Sequence, residues 1–383
     1  MPASASARRG IRPHPAQALA ARALAAALLL APGPTAGQLP PQQLPELMEP
    51  RGLLALPQAR PARTIAFGAH PSQAVELFLP RTRPPEGRLP VVVLLPGGCF
   101  RSDLPGRELV RAAAGALAAR GWAVWAVGYR RIDEEGGGYP GTFLDVATGI
   151  DLLRAHAAEE GLDLGRVAAL GHSVGGTLAL WAAGRRNIRP PSPLHAADPL
   201  PLRGVVSAGG FGDLRILGPV IALSCGREVL PALLAGRGDA AASAASAPET
   251  PPAPTAPARD AGALEGAGPP APPGPSGGES AADPPAAPTV LPAPAARGPA
   301  RPDPYADTSP AALLPAGVPV VLLHGVYDHV AFPAVGLFHA RTARRAGDRA
   351  EIYLAPNAGH FELIAPGHPA FAQAVAALAR FLE

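Results

Sequence analysis

The stretch RVAALGHSVGG, residues 166–176, decides the fold. Small and branched apolar residues, Val167 to Leu170, run into glycine, histidine, serine, valine and two glycines. A run of that kind predicts a strand buried on both faces. Residues 175–185, GGTLALWAAGR, then predict a helix. Gly171-His172-Ser173-Val174-Gly175 therefore fits G-x-S-x-G at a strand-to-helix turn. Such a turn lifts a serine oxygen above a sheet and aims the next helix's amino end at it. Glycines flank the serine because side chains there would collide with the neighbouring strand and helix.

Outward from this stretch, strands and helices alternate. Short strands are expected at 64–68 and 74–80, and buried strands at 89–98 and 122–130. Helices are expected at 108–121 and 141–161. Residues 202–210 read as strand. After a gap come strand 318–325, helix 334–347, strand 350–356 and helix 370–382. The alternation predicts a mostly parallel, doubly wound sheet with helices on both faces. Neither half is complete alone, so the expectation is one domain, residues 61–383, carrying a low-complexity insertion at 238–301.

Composition locates that insertion. The chain has 383 residues with 51 prolines, 44 glycines and only 5% aromatics. Sixteen of the prolines fall within residues 241–300, where Leu264, Val290 and Leu291 are the only large aliphatics. Such a segment buries too little apolar area to offset ordering, so disorder is expected there. A net charge of +3 with scattered arginines gives no basic stripe and no argument for nucleic acid. Two cysteines, Cys99 and Cys225, make neither a metal site nor a disulfide framework.

At the amino end, Arg8, Arg9, Arg12 and Arg22 precede an Ala/Leu run, and small residues surround Ala36. Residues 1–37 read as a secretory leader, with an organellar transit peptide, or a disordered Ala-rich leader from a mis-set start codon, as the alternatives. The expected destination is secreted or periplasmic, with an organelle or the cytoplasm as alternatives. No later run is long enough to span a bilayer. Residues 38–60, rich in Pro, Gln and Leu, read as a connector.

A serine hydroxyl needs a base to become a nucleophile, and the base needs an orienting acid. Asp328 lies just past the strand 318–325, and His360 just past the strand 350–356. Open α/β sheets place their sites at these carboxyl ends. Ser173, Asp328 and His360 are thus the candidate nucleophile, acid and base. His324 and His172 read as packed neighbours, and His329 as pointing away. Asp307 is the rival acid, with a turn cap before Pro310 as its plainer role. A developing oxyanion needs N–H donors. Candidates are Val174 and, in the loop Pro96-Gly97-Gly98-Cys99-Phe100, Gly98 and Cys99. Cys99 is expected to act through its backbone with its thiol unpaired; the rival is a disulfide to Cys225, which an exported protein would permit.

These segments together resemble an α/β-hydrolase of the carboxylesterase and kynurenine-formamidase-like group. The resemblance rests on PVVVLLPGGCF, GWAVWAVGYRRI, RVAALGHSVGGTLALWAAGR, YADTSPAALLPAGVPVVLLHGVYDHV and NAGHFELIAPG. It covers roughly residues 60–236 and 302–383. It implies hydrolysis of a small-molecule ester, formamide or acyl-amide without a cofactor, with Ser173, Asp328 and His360 in the family's nucleophile, acid and base positions. Two features depart from it. Relatives carry His-Gly-Gly-x-Trp at the oxyanion loop, whereas this chain has Pro96 and Phe100 at the first and last of those positions, and Pro96 removes a polar side chain that would brace the loop. The insertion is the other departure. HGVYDHV and AGHF also occur in prolyl-oligopeptidase-type catalytic domains, so an acyl-peptidase or aminopeptidase is the alternative activity. A catalytically silent fold used for binding is the alternative of a different class.

Overall fold

Eight strands form one sheet: β1 (Arg63–Ala66), β2 (Ala74–Phe78), β3 (Leu89–Leu95), β4 (Ala123–Val127), β5 (Leu162–His172), β6 (Val205–Ala208), β7 (Val320–Gly325) and β8 (Ala350–Ala355). Their order is β1-β2-β4-β3-β5-β6-β7-β8. β1 and β2 are antiparallel to their neighbours, and every later pairing is parallel. The computed structural model describes residues 45–83, 87–235, 303 and 305–383. All the strands lie in the unit Leu47–Glu383; Met1–Glu46 is a separate unit of which only residues 45 and 46 are described.

The helices are α1 (Pro50–Ala55), α2 (Arg111–Ala118), α3 (Gly141–Asp151), α4 (Leu153–Glu160), α5 (Val174–Gly184), α6 (Gly218–Cys225), α7 (Val229–Leu234), α8 (Tyr305–Thr308), α9 (Pro333–Arg345) and α10 (Pro369–Leu382). They cover both faces of the sheet. Along β3, Val91, Val93 and Leu95 join an apolar layer with Phe143 and Ile150 of α3 and Trp181 of α5. Val92 and Leu94 point into a second layer with Leu117 of α2 and Leu378 of α10. Because residues alternate between two buried faces, every position of the strand must be apolar. This is why LPVVVLL carries no polar residue.

Several boundaries differ from the sequence reading. The expected helix 141–161 is two helices, α3 and α4, meeting at Leu152. β5 begins at Leu162, not at Arg166. The stretch read as a connector, 38–60, contains α1, whose Leu53 is fully buried in the second layer. Pro50 opens that helix, where a missing N–H costs nothing. The compact unit accordingly starts at Leu47.

β6 pairs directly with β7, Val205 opposite Val320 and Ala208 opposite Leu323. The sheet is therefore continuous across residues 236–302, which enter one domain as an insertion. The disorder expected there and the leader expected at 1–37 lie outside the described residues. Among the described residues, no helix is long and apolar enough to cross a membrane.

Candidate active site

Ser173 sits between the last residue of β5 and the first of α5, with φ 55 and ψ −129. A residue with a Cβ rarely holds positive φ, so the surroundings must enforce it. They do so through the glycines on either side. A Cβ on Gly171 would lie 2.0 Å from the Gly175 carbonyl oxygen, and one on Gly175 would lie 2.2 Å from that of Leu95. The Ser173 N–H donates to the Ala208 carbonyl at 2.8 Å, tying the turn to β6. α5 is buried along its whole length, so it has no polar face to shift toward solvent.

Asp328 and His360 come together from the loops after β7 and β8. The His360 Nδ1 and Asp328 Oδ2 are 2.8 Å apart, both side chains buried. Asp328 Oδ1 accepts from the Val330 and Ala331 N–H groups at 2.9 and 2.8 Å. Burial alone would raise this carboxyl. The bond and charge of His360 and the two backbone donors outweigh it, and Asp328 stays below the usual carboxylate range. With Nδ1 engaged, His360 Nε2 has no hydrogen-bond partner among the described residues. His360 and Ser173 line one cleft of about 170 Å³, together with Gly98 and Cys99.

The other histidines and acids fall elsewhere. His172 packs against His360, ring centroids 4.7 Å apart, and its Nε2 is 3.0 Å from the His360 carbonyl oxygen, to which it donates. Burial, then the neighbouring His360, pushes His172 down to about 3, so it is neutral. The His324 Nδ1 donates to the Ala331 carbonyl at 3.0 Å, bracing the Asp328 loop from below. His329 is exposed. Asp307 is no simple turn cap. Its carboxylate accepts from the Tyr139 hydroxyl at 3.0 Å and from the Ser192 hydroxyl, and its carbonyl accepts from Trp181 Nε1 at 2.8 Å.

The oxyanion-loop candidates line the same cleft. Gly98, Cys99 and Phe100 have φ of 105, 50 and 57. This run of positive values closes a turn in which the Arg101 N–H donates to the Gly98 carbonyl at 2.8 Å. Gly97 lies against the serine turn, since a Cβ there would be 3.0 Å from Ser173 Cβ. The N–H groups of Gly98, Cys99 and Val174 make no hydrogen bond among the described residues. The brace that Pro96 cannot supply comes from Tyr129. Its hydroxyl donates to the Pro96 carbonyl at 2.7 Å, from the segment just beyond β4. Nothing near Tyr129 in the sequence signals this contact.

Two further features correct or extend the sequence reading. Cys99 and Cys225 form a disulfide, Cα atoms 5.4 Å apart, which corrects the expectation of an unpaired thiol. α6 runs to the cleft and ends at Cys225, beside the loop that carries Cys99. Gly209, just past β6, holds φ +68, and a Cβ there would lie 2.8 Å from His360 Cε1. It leaves room for the imidazole. The doubled glycine of VVSAGG was its one trace in the sequence.

Comparison with known proteins follows the same lines. The BD-FAE family model matches residues 75–196, from β2 past α5. No curated protein matches the chain. Esterase B from Lactobacillus rhamnosis is similar in structure, with TM-score 0.58, 16% identity, and 96% of this chain and 93% of that one covered. A thermophilic esterase from the Planctomycetes species Thermogutta terrifontis, Est2, gives TM-score 0.51 at 18% identity, covering 81% of this chain and 88% of that one. A bifunctional GH43-CE protein of Bacteroides eggerthii gives TM-score 0.53 at 16% identity over 83% of this chain, which spans only 34% of that longer protein. The sheet order with its antiparallel amino-terminal edge, the serine turn after β5, the His–Asp pair past β7 and β8 and the similar esterase structures agree, and the chain has the α/β-hydrolase fold.

Proposed function

We propose that the protein is a serine esterase acting on esters with a short acyl group. The observation that carries this reading is the 2.8 Å His360–Asp328 contact, which leaves His360 Nε2 unpartnered in the cleft that Ser173 lines. In the reaction, Nε2 takes the proton of the Ser173 hydroxyl as its oxygen attacks the ester carbonyl. Asp328 holds the imidazole tautomer and stabilises the imidazolium. The carbonyl oxygen becomes negative and is met by the N–H groups of Gly98, Cys99 and Val174. The imidazolium then gives its proton to the departing alcohol, leaving an acyl-serine. Water, deprotonated by the same nitrogen, releases the acid and restores the serine.

The size of the cleft supports the short acyl group. At about 170 Å³, walled in part by Leu104, Leu109 and Phe361, it takes a few carbons beside Ser173. The similar Est2 is known in propionate-bound and butyrate-bound forms, and the similar esterase B with a tributyrin phosphonate. Export also fits. A chain carried by the leader read at 1–37 would reach an oxidising compartment, where the Cys99–Cys225 bridge persists.

The test is labelling with a fluorophosphonate, which reacts only with an activated serine, and hydrolysis of p-nitrophenyl esters of increasing acyl length. Labelling at Ser173 and a preference for acetate to butyrate are expected. Ser173→Ala should lower turnover at least about a thousand-fold with folding intact. A variant retaining more than about a tenth of turnover would show another nucleophile. An unlabelled wild-type protein would point instead to a silent fold that binds without catalysis.

A further inference from the structure

The disulfide joins two walls of the cleft that the sequence places 126 residues apart. One wall is the loop 96–100, in which Cys99 and Phe100 both hold left-handed backbone conformations. The other is α6. Ser224, the residue before Cys225, lines the cleft and donates its hydroxyl to the Val330 carbonyl at 2.6 Å. The Val330 N–H in turn donates to Asp328. A continuous set of bonds thus runs from Cys99 through Cys225, Ser224 and Val330 to Asp328 and His360.

The turn closed by the Arg101 N–H on the Gly98 carbonyl sets the local backbone around Cys99, and the loop's remaining ties lie at its ends. Tyr129 holds Pro96, and the Ile132 N–H donates to the Phe100 carbonyl at 2.9 Å. The Arg101–Glu228 ion pair also bridges the two walls at 3.1 Å. Its partners are 36% and 64% exposed, so water and salt screen it. The covalent bond is left as the unscreened tie from Cys99 itself to the opposite wall.

We propose that the Cys99–Cys225 disulfide is a positioning element for hydrolysis. It holds the Cys99 N–H at the oxyanion position and fixes that position relative to the loop bearing Asp328. The proposal rests on the esterase reading above. It differs from a purely stabilising staple, which would change melting and leave turnover of the folded protein alone.

The experiment compares wild type, Cys225→Ala, and wild type reduced in the folded state by a water-soluble phosphine. In that reduction the phosphine takes up oxygen from water to become the phosphine oxide, and the disulfide gains two electrons and two protons to give two thiols. Melting temperature, kcat and KM for p-nitrophenyl acetate, and the fluorophosphonate labelling rate are measured well below melting. In Cys225→Ala and in reduced wild type, kcat and labelling rate should fall about ten- to a hundred-fold with KM changed less than about three-fold, as expected for a displaced oxyanion donor. The phosphine should not affect Cys225→Ala further. If Cys225→Ala fails to fold, reduced wild type with an unchanged circular dichroism spectrum carries the comparison. A lowered melting temperature with kcat within about two-fold would overturn the positioning role and leave the esterase reading standing. Oxidised wild type that neither labels nor hydrolyses esters would overturn both.

Discussion

Two aspartates compete for one role, and their contacts separate them. Asp328 holds His360 and two backbone amides, whereas Asp307 holds Tyr139, Ser192 and, through its carbonyl, Trp181. Asp328→Asn should lower kcat by about ten-thousand-fold, because an amide at this position favours the wrong imidazole tautomer. Asp307→Asn should leave kcat within a few-fold and lower the melting temperature, since it loosens the join of three segments. Turnover and thermal melting of both variants check this, and equal losses of turnover would remove Asp328 from the proposed triad. The Asp328–His360 pair is legible in the sequence because each residue follows a recognisable buried strand, and strand ends of a parallel sheet converge. Gly209 and Tyr129 are not, because their partners, His360 and Pro96, are brought near only by the strand order. The same holds for Cys99 and Cys225: a sequence contains no distance between residues 126 apart.

Among the elements, the loop 96–100, the proposed oxyanion loop, depends most on its neighbours. Tyr129 is buried, and burial pushes its phenol well above the ordinary tyrosine value, so the hydroxyl remains a donor at any working pH. Tyr129→Phe removes the donor to Pro96 and should cost about 1–3 kcal/mol of stability, the usual penalty for a buried polar group left unpaired. It should also lower kcat up to about ten-fold, because small displacements of catalytic donors are expensive. Melting and p-nitrophenyl acetate turnover measure the two effects, and a variant unchanged in both would show that the hydroxyl braces nothing. Legibility at this scale follows periodicity. β3 stands out as an unbroken apolar run, and β5 only in its second half, Val167–Leu170. α5 has no polar face, so its place after Ser173, not its pattern, reveals it. α1 is short and set among prolines and glutamines, and only its buried Leu53 shows that it belongs to the fold.

For the molecule as a whole, three buried histidines set the acid limit. Burial lowers His172 to about 3 and His339 to about 4, and lowers His324 as well. Their ordinary value near 6.5 applies once the chain unfolds. Between 6.5 and the folded values the unfolded state binds more protons, so stability rises with pH and is lost as pH falls through that window. His172 and His339 should each cost about 1.4 kcal/mol per pH unit below about 6.5, down toward their folded values. Denaturant melts at pH 7, 6 and 5 should show the decline, shallower in His339→Gln; a stability unchanged from pH 7 to 5 would contradict it. The place of the insertion has a separate consequence. A protease cutting anywhere between residues 236 and 302 breaks none of the eight strands, and the Cys99–Cys225 bond lies wholly on the amino-terminal piece. Ser173 would then sit on one polypeptide and the Asp328–His360 pair on another, joined through the β6–β7 ladder and the packing around it. Nicking there turns a single-chain protein into a two-chain one, whose halves can be made apart and tested for complementation.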